Sequence, residues 1–330
     1  MELRGIHHIT AIASDPQRNL DFYTNMLGLR LVKRTVNFDD PSTYHFYFGD
    51  RTGRPGTVIT FFPWPGARRG SRGVGQVVAT SFAIAEGAID CWRARFQEQG
   101  LWCEQTSPRF GDNVLRLADP DGLLIELITS PQLEDVDLTY ESDVPNEFAI
   151  HAFHAPSFEM RRLARSEKLL AMLGFELISE ENGRRRFAVN TSLVAQGTDL
   201  RRRTSGKIDI IERPDGGFGV NSVGTVHHIA FRCGDKAEQL EWRKRIVDLG
   251  LYVTPVIDRQ YFHSIYFREP NGILFEVATD GPGFAADEPV DHLGETLKLP
   301  PQYEPQRAEI EGILPPIECV LKLTAGRPAK

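Results

Sequence analysis

Apolar and polar positions along this chain recur in the same order four times. Residues 6–13, IHHITAIA, form an apolar run of strand length. Ser14 or Asp15 then stands where a helix N-cap is expected, with Pro16 in the first turn. Leu20, Phe22, Tyr23, Met26 and Leu27 recur at helical spacing, and Gly28 supplies a stop. Three more apolar runs, LRLVKRTVNF, YHFYFGD and GTVITFFP, are split by Asp, Pro and Gly turns and predict three strands. Residues 5–64 therefore read as a βαβββ unit.

The order returns at 76–131, from QVVATSFAI through AIDCWRARFQEQG to GLLIELITS. It returns at 147–213, from FAIHAFHAPS through KLLAMLGFELI to GKIDIIERP, and at 224–280, from TVHHIAFRC through QLEWRKRIVDLG to GILFEVATD. The stretches PGARRGSRGVG, PQLEDVDLTYESDVPNE and RPDGGFGVNSVG link the copies. The pattern predicts an α+β fold of four βαβββ modules. Modules 1 and 2 are expected to form an N-terminal domain, 1–131, and modules 3 and 4 a C-terminal domain, 147–282. The Pro-rich, acidic segment 283–330 reads as a tail wrapped over the surface.

Chemistry enters through the repeat. The first strands of modules 1 and 4 each carry adjacent histidines, His7–His8 and His227–His228. Neighbours on a regular strand point to opposite faces, so one of each pair is expected to face a cavity. Aligning the last strands on their shared Gly brings Thr60, Glu126, Asp209 and Glu276 to one position; aligning the first strands brings His8, Val78, His151 and His228 to another. Carboxylates in mid-strand are costly unless paired or bound to a metal. Glu126, His151 and Asp209 then read as either a second metal site or a vestige of duplication with paired polar groups.

Composition adds mainly exclusions. The chain has 330 residues, 41% of them hydrophobic and 25% charged, and a net charge of −7. This is ordinary globular composition and argues against a general nucleic-acid binder. Arg184–Arg186 and Arg201–Arg203 read as solvated turns. No apolar run approaches membrane-span length, and no signal-peptide pattern opens the chain. The four cysteines lack metal-type spacing, so reduced thiols in a cytoplasmic protein are expected.

The motifs HHIT, VKRTVNFDDPSTYHFYFGD, the second HH at 227–228, RQYFHSIYFREPNGILFE and GFAADE resemble the vicinal oxygen chelate superfamily. That superfamily comprises glyoxalase I, bleomycin-resistance proteins and extradiol dioxygenases, and the chain is most similar to its hydroquinone-type ring-cleaving dioxygenases. The resemblance implies two half-open barrels, with modules 1 and 4 holding a metal through His8, His228 and Glu276. Two imidazoles and one carboxylate are also the donor set of non-haem Fe(II) oxygenases, with open positions left for substrate and O2. Glyoxalase-type lyases carry a fourth ligand at the position of Thr60. The activity implied is Fe(II)-dependent cleavage of a hydroquinone or catechol, with Mn(II) as the alternative ion. A metal-dependent lyase or isomerase, and a non-catalytic binder of a small aromatic compound, are the alternatives.

His227, Tyr266, Arg259, His7 and Thr10 are the candidate catalytic groups, and His263 is a further pocket candidate. His227 and Tyr266 are suited to proton handling, and Arg259 to anchoring negative charge. His7 and His227 read equally as core histidines satisfied by hydrogen bonds. The expected partners are a small aromatic substrate and O2, with no nucleic acid and no membrane; a homo-oligomer is compatible with the sequence.

Overall fold

The computed structural model describes residues 3–133, 136–140, 142–189 and 205–318. Arg201–Arg203, Cys319 and the tail beyond 318 lie outside them. Each module is a βαβββ unit. The first comprises β1 (Ile6–Ala13), α1 (Pro16–Asp21, continued by a π turn over Phe22–Met26), β2 (Arg30–Asn37), β3 (Asp40–Gly49) and β4 (Val58–Pro63). Asp15 is the N-cap of α1: its Oδ1 accepts the Arg18 N–H at 2.8 Å. Gly28, at φ 71°, turns the chain out of the helix in a conformation that costs glycine little.

The second module comprises β5 (Gln76–Ala85), α2 (Ala88–Glu98), β6 (Cys103–Gln105), β7 (Val114–Ala118) and β8 (Leu124–Ser130). The third comprises β9 (Ser157–Met160), α3 (Glu167–Met172), β10 (Phe175–Glu181), β11 (Arg184–Val189) and β12 (Lys207–Glu212). The fourth comprises β13 (Val226–Cys233), α4 (Lys236–Asp248), β14 (Ile257–Asp258), β15 (His263–Arg268) and β16 (Leu274–Thr279).

Two eight-stranded sheets result. One runs β14-β15-β16-β13-β1-β4-β3-β2 and joins module 1 to module 4; the other runs β10-β11-β12-β9-β5-β8-β7-β6 and joins module 3 to module 2. Each sheet therefore draws on both halves of the chain. Helices cover the outer faces through buried anchors such as Tyr23, Trp92, Leu170 and Trp242.

The third module departs from expectation. FAIHAFHAPS does not form a regular strand; β9 begins only at Ser157. Ala155 adopts φ 46°, and Pro156 behind it can donate no ladder hydrogen bond, so the chain turns before the strand starts. His151 lies before that turn and is not the counterpart of His8.

The tail segment is tied to the first sheet. Phe284 packs on Tyr47 and Tyr261, with ring centroids 4.9 and 5.2 Å away. The Lys33 ammonium is fully buried and lies 2.5 Å from both Asp287 Oδ1 and Glu288 Oε2. Asp287 also accepts hydrogen bonds from Gln260 Nε2 at 2.8 Å and the Tyr261 hydroxyl at 3.0 Å. The tail thereby fixes the loop that carries Arg259.

Candidate active site

β1 and β13 lie antiparallel at the centre of the first sheet, and each is bulged at its histidine pair. On β1, Ile6 pairs with Phe231 and His8 with Ala230, which leaves His7 as the extra residue. On β13, His228 pairs with Thr10 and Val226 with Ala11, which leaves His227 as the extra residue. A bulge re-aims side chains and breaks strict alternation. The expectation that each pair splits between opposite faces is corrected accordingly: His7 Nδ1 lies 2.9 Å from His8 Nδ1, and His227 Nδ1 lies 2.7 Å from His228 Nδ1.

These contacts set proton positions. His7 Nε2 faces the carbonyl of Thr279 at 3.1 Å, which can only accept, so Nε2 carries the proton. Burial, reinforced by His8, holds the pKa of His7 well below the usual histidine value, so the ring is neutral and its Nδ1 is an acceptor. His8 Nδ1–H donates to it, so Nε2 is the His8 nitrogen turned toward the sheet's centre.

That nitrogen points into a three-membered cluster. His8 Nε2 lies 3.3 Å from His228 Nε2, and Glu276 Oε2 lies 2.9 Å from His228 Nε2 and 3.4 Å from His8 Nε2. All three side chains are buried, and their donor atoms lie within 4.8 Å of one another. Burial pushes the Glu276 carboxyl up, but His8 and His228 outweigh it and hold it well below the usual range, as an anion. Ser264 Oγ donates to its other oxygen, Oε1. Oε2 makes no aligned hydrogen bond, and among the described residues no Lys or Arg pairs with this carboxylate. A buried carboxylate needs a cation beside it, and two imidazole nitrogens and a carboxylate oxygen within 4.8 Å of one another are a donor set that fits a divalent metal. Among the described residues no fourth His, Cys, Asp or Glu joins them, and Thr60 Oγ1 is engaged by Thr10 at 2.9 Å and His45 at 2.8 Å.

The cluster opens on a cavity of about 220 Å³. Phe38, Phe62, Trp64, Phe262 and Leu274 form its apolar wall, and Thr10, His45, Tyr47, His227, Arg259 and Tyr266 its polar one. The space suits one substituted aromatic ring. Arg259 Nε donates to the Tyr266 hydroxyl at 3.3 Å. Burial, reinforced by Glu276, pushes the Tyr266 phenol up, so it stays protonated. Burial, with His228 adding to it, takes His227 down to about 3, so it is neutral at ordinary pH.

The fold thus gathers His8, His228, Glu276, Thr10, His227, Arg259 and Tyr266 around one space. It does not bring His7 or His263 to it: His7 stands behind His8, and His263 Nε2 lies 3.9 Å from Asp258. Asp39 was not singled out from the sequence. For His45 and Tyr47 the signal was alternation in YHFYF. Tyr44, Phe46 and Phe48 join the core, while His45 and Tyr47 share the face that carries Thr60.

The other half-barrel is different. Ladder register places Glu126 opposite Ser81 and Asp209 opposite Ser157, as Thr60 is opposite Thr10 and Glu276 opposite Ala230. The counterparts of His8 and His228 are then Ala79 and Ala155, neither a ligand; Val78 is one residue out of register. Arginines occupy the space. Arg109 lies 2.5 Å from Glu126, and Arg186 Nε donates to Asp209 at 2.8 Å and Nη1 to Asp112 at 2.8 Å. Glu126 and Asp209 are therefore paired polar groups rather than a second metal site.

Residues 5–127 and 166–277 match the family model of the glyoxalase/bleomycin resistance protein/dioxygenase superfamily. The chain belongs to this superfamily. MhqO of Bacillus subtilis (strain 168), provisionally described as a ring-cleaving dioxygenase, is 44% identical over 94% of this chain and 96% of its own. Chlorohydroquinone/hydroquinone 1,2-dioxygenase of Sphingobium indicum is 33% identical over 93% of this chain and 95% of its own. A crystal structure from Bacillus subtilis, provisionally described as a dioxygenase, superposes with a TM-score of 0.89 at 43% identity, covering 96% of this chain and 98% of that one. Glyoxalase I from Zea mays shares the superfamily fold, with a TM-score of 0.59 at 14% identity over 84% of this chain and 92% of its own. No helix among the described residues is long and apolar enough to cross a membrane.

Proposed function

We propose that this superfamily member is an Fe(II)-dependent, extradiol-type ring-cleaving dioxygenase whose preferred substrate is a para-hydroquinone. The observation that carries the reading is the buried His8–His228–Glu276 cluster, with no fourth such ligand among the described residues, at the floor of a ring-sized aromatic cavity. The hydroquinone activity named for the Sphingobium relative supports it. Fe(II) held by these three residues would favour the phenolate form of a ring hydroxyl and allow triplet O2 to react with the ring. Mn(II) fits the same donors.

The chain's own groups then have distinct tasks. The aromatic wall excludes water and orients the ring. Tyr266, kept protonated and oriented by Arg259, donates a hydrogen bond to a substrate oxygen. His227, neutral and with Nδ1 turned toward His228, leaves Nε2 as the ring nitrogen available for a proton at the pocket. A hydroquinone reaches one metal through one oxygen only, so positioning by these side chains replaces the second chelate bond of a catechol.

The test is O2 uptake by protein reconstituted anaerobically with Fe(II). A para-hydroquinone is expected to show higher kcat/KM than the matching catechol. A catechol preference overturns the hydroquinone assignment. Absence of O2 uptake with any phenol, together with zinc- or nickel-supported lyase activity, overturns the dioxygenase reading.

A further inference from the structure

The ring pocket has a neighbour. A second cavity of about 180 Å³ lies where the start of β5 and the segment 218–221 meet β13 and the turn between β15 and β16. Three residues line both spaces: His227, His228 and Leu274. The order of residues along the strands relates the two. Residues two apart on a strand share a face and lie about 7 Å from each other. On the β15–β16 ladder Tyr266 is opposite Glu276, and the next row on that face sets Arg268 opposite Leu274. Tyr266 lines only the ring pocket, Arg268 only the second cavity, and Leu274 both. On β13 the order runs His228, His227, Val226, and Val226 lines only the second cavity. The two cavities therefore follow one another along one inner face of the sheet, and the shared residues are the wall between them.

Leu274 is the part of that wall with the least holding it. His228 belongs to the metal cluster, and His227 is held against it by the 2.7 Å contact between their Nδ1 atoms. Leu274 is half-buried, carries no polar atom and is kept in place by packing alone. Beyond it, Val77, Val226 and Ile273 give the second cavity apolar surface, and the exposed Asn221 and Arg268 give it a polar outer end. An apolar cavity of about 150 Å³ holds a benzene ring, so the space behind Leu274 is large enough for a second ring.

We infer that Leu274 is a specificity-determining residue that closes the ring pocket against a second ring-sized cavity and so confines the substrate to a single ring. A smaller side chain at this position joins the two spaces and admits a hydroquinone that bears a second ring. The inference rests on the reading of the ring pocket as the substrate site.

Hydroquinone and phenylhydroquinone are the probes. They are compared by O2 uptake on Fe(II) protein, and by calorimetry under argon on Zn(II)-loaded protein, which needs no turnover. The parent protein is expected to favour hydroquinone over phenylhydroquinone by on the order of 10²-fold in kcat/KM and in affinity. Leu274→Ala should narrow both ratios about 10-fold, Leu274→Val should narrow them less, and Leu274→Ile should keep the parent ratios. Each variant is measured with both compounds, so a general loosening of the site cancels from the ratio. A crystal structure of the Zn(II) Leu274→Ala complex should show the second ring against Val226 and Ile273. Equal use of the two compounds by the parent, unchanged ratios in Leu274→Ala, or a second ring seated elsewhere overturns the assignment. If the parent consumes no O2 with any hydroquinone, the proposed function fails, and the affinity ratios and the complex still decide the role of Leu274.

Discussion

Asp39 Oδ2 lies 3.0 Å from Arg259 Nη1, and this pair bridges the turn between β2 and β3 to the loop between β14 and β15 at the pocket. Asp39 is 73% exposed, so the pair is screened and contributes little to stability. Both residues line the pocket, so the pair sets how much positive charge Arg259 presents to a bound ring.

A ring bearing a carboxylate must therefore compete with Asp39 for Arg259. Asp39→Asn is expected to raise kcat/KM for a carboxylate-substituted hydroquinone about 10-fold relative to the unsubstituted one, the scale of one charge-assisted hydrogen bond. Parallel steady-state kinetics on the two substrates check this. An unchanged ratio would mean that Asp39 does not control access to the guanidinium.

Removing one metal donor should empty the cluster without unfolding the sheet around it. His228→Ala is expected to lose most bound iron or manganese and all measurable turnover, while its circular dichroism matches the parent. Metal analysis after anaerobic purification is the check, and full occupancy in the variant would exclude His228 as a ligand.

Tyr266→Phe keeps the ring packing and removes the hydroxyl that Arg259 orients. Metal content should be unchanged and turnover slower by ~10²-fold or more, the range for a lost acid–base or hydrogen-bonding group. Rates equal to the parent would reduce Tyr266 to a wall residue.

Burial lowers the pKa of His7, His45, His154 and His227 below 6.5, and each is neutral in the folded protein. In the unfolded chain these rings protonate near pH 6.5, so the unfolded state binds more protons below that pH. Stability of the metal-free protein therefore falls as pH drops below about 6.5, by about 1.4 kcal/mol per pH unit for each such ring. His154 belongs to the other half-barrel, where its Nε2 lies 3.7 Å from Asp112. His154→Gln should reduce proton uptake on unfolding by about one between pH 6 and 5, measured by urea titrations. An unchanged slope would show that His154 is already protonated in the fold.

The modular order was legible because each βαβββ unit carries its own period switch and its own Asp, Gly and Pro boundaries. The convergence of His8, His228 and Glu276 was legible because the two histidines occupy equivalent first-strand positions of two modules and Glu276 lies on the neighbouring last strand. The bulges were not: an extra residue on β1 or β13 shows only in the pairing between strands that lie more than two hundred residues apart. Strict alternation therefore separated His7 from His8 when the fold brings their Nδ1 atoms together. His151 was misplaced for a related reason, since apolar FAIHAFHA has strand composition but ends in a Pro156 turn. The arginine filling of the second half-barrel was equally hidden, because Arg184 and Arg186 look like solvated turn residues until β11 pairs with β12.

Joining the first module to the fourth has a consequence for how the protein comes into being. The sheet formed by modules 2 and 3 uses strands between residues 76 and 212, and can close while the chain is still being made. The other sheet must keep β1 waiting for β13 and β16, because His8 and His228 are 220 residues apart. Such long-range pairing is slow, and it leaves an apolar strand unpaired during synthesis. Lys33 cannot be neutralised until Asp287 and Glu288 arrive. The half of the molecule that holds the His8–His228–Glu276 cluster is thus the last to assemble, and a chain interrupted before residue 288 lacks the pieces to complete it.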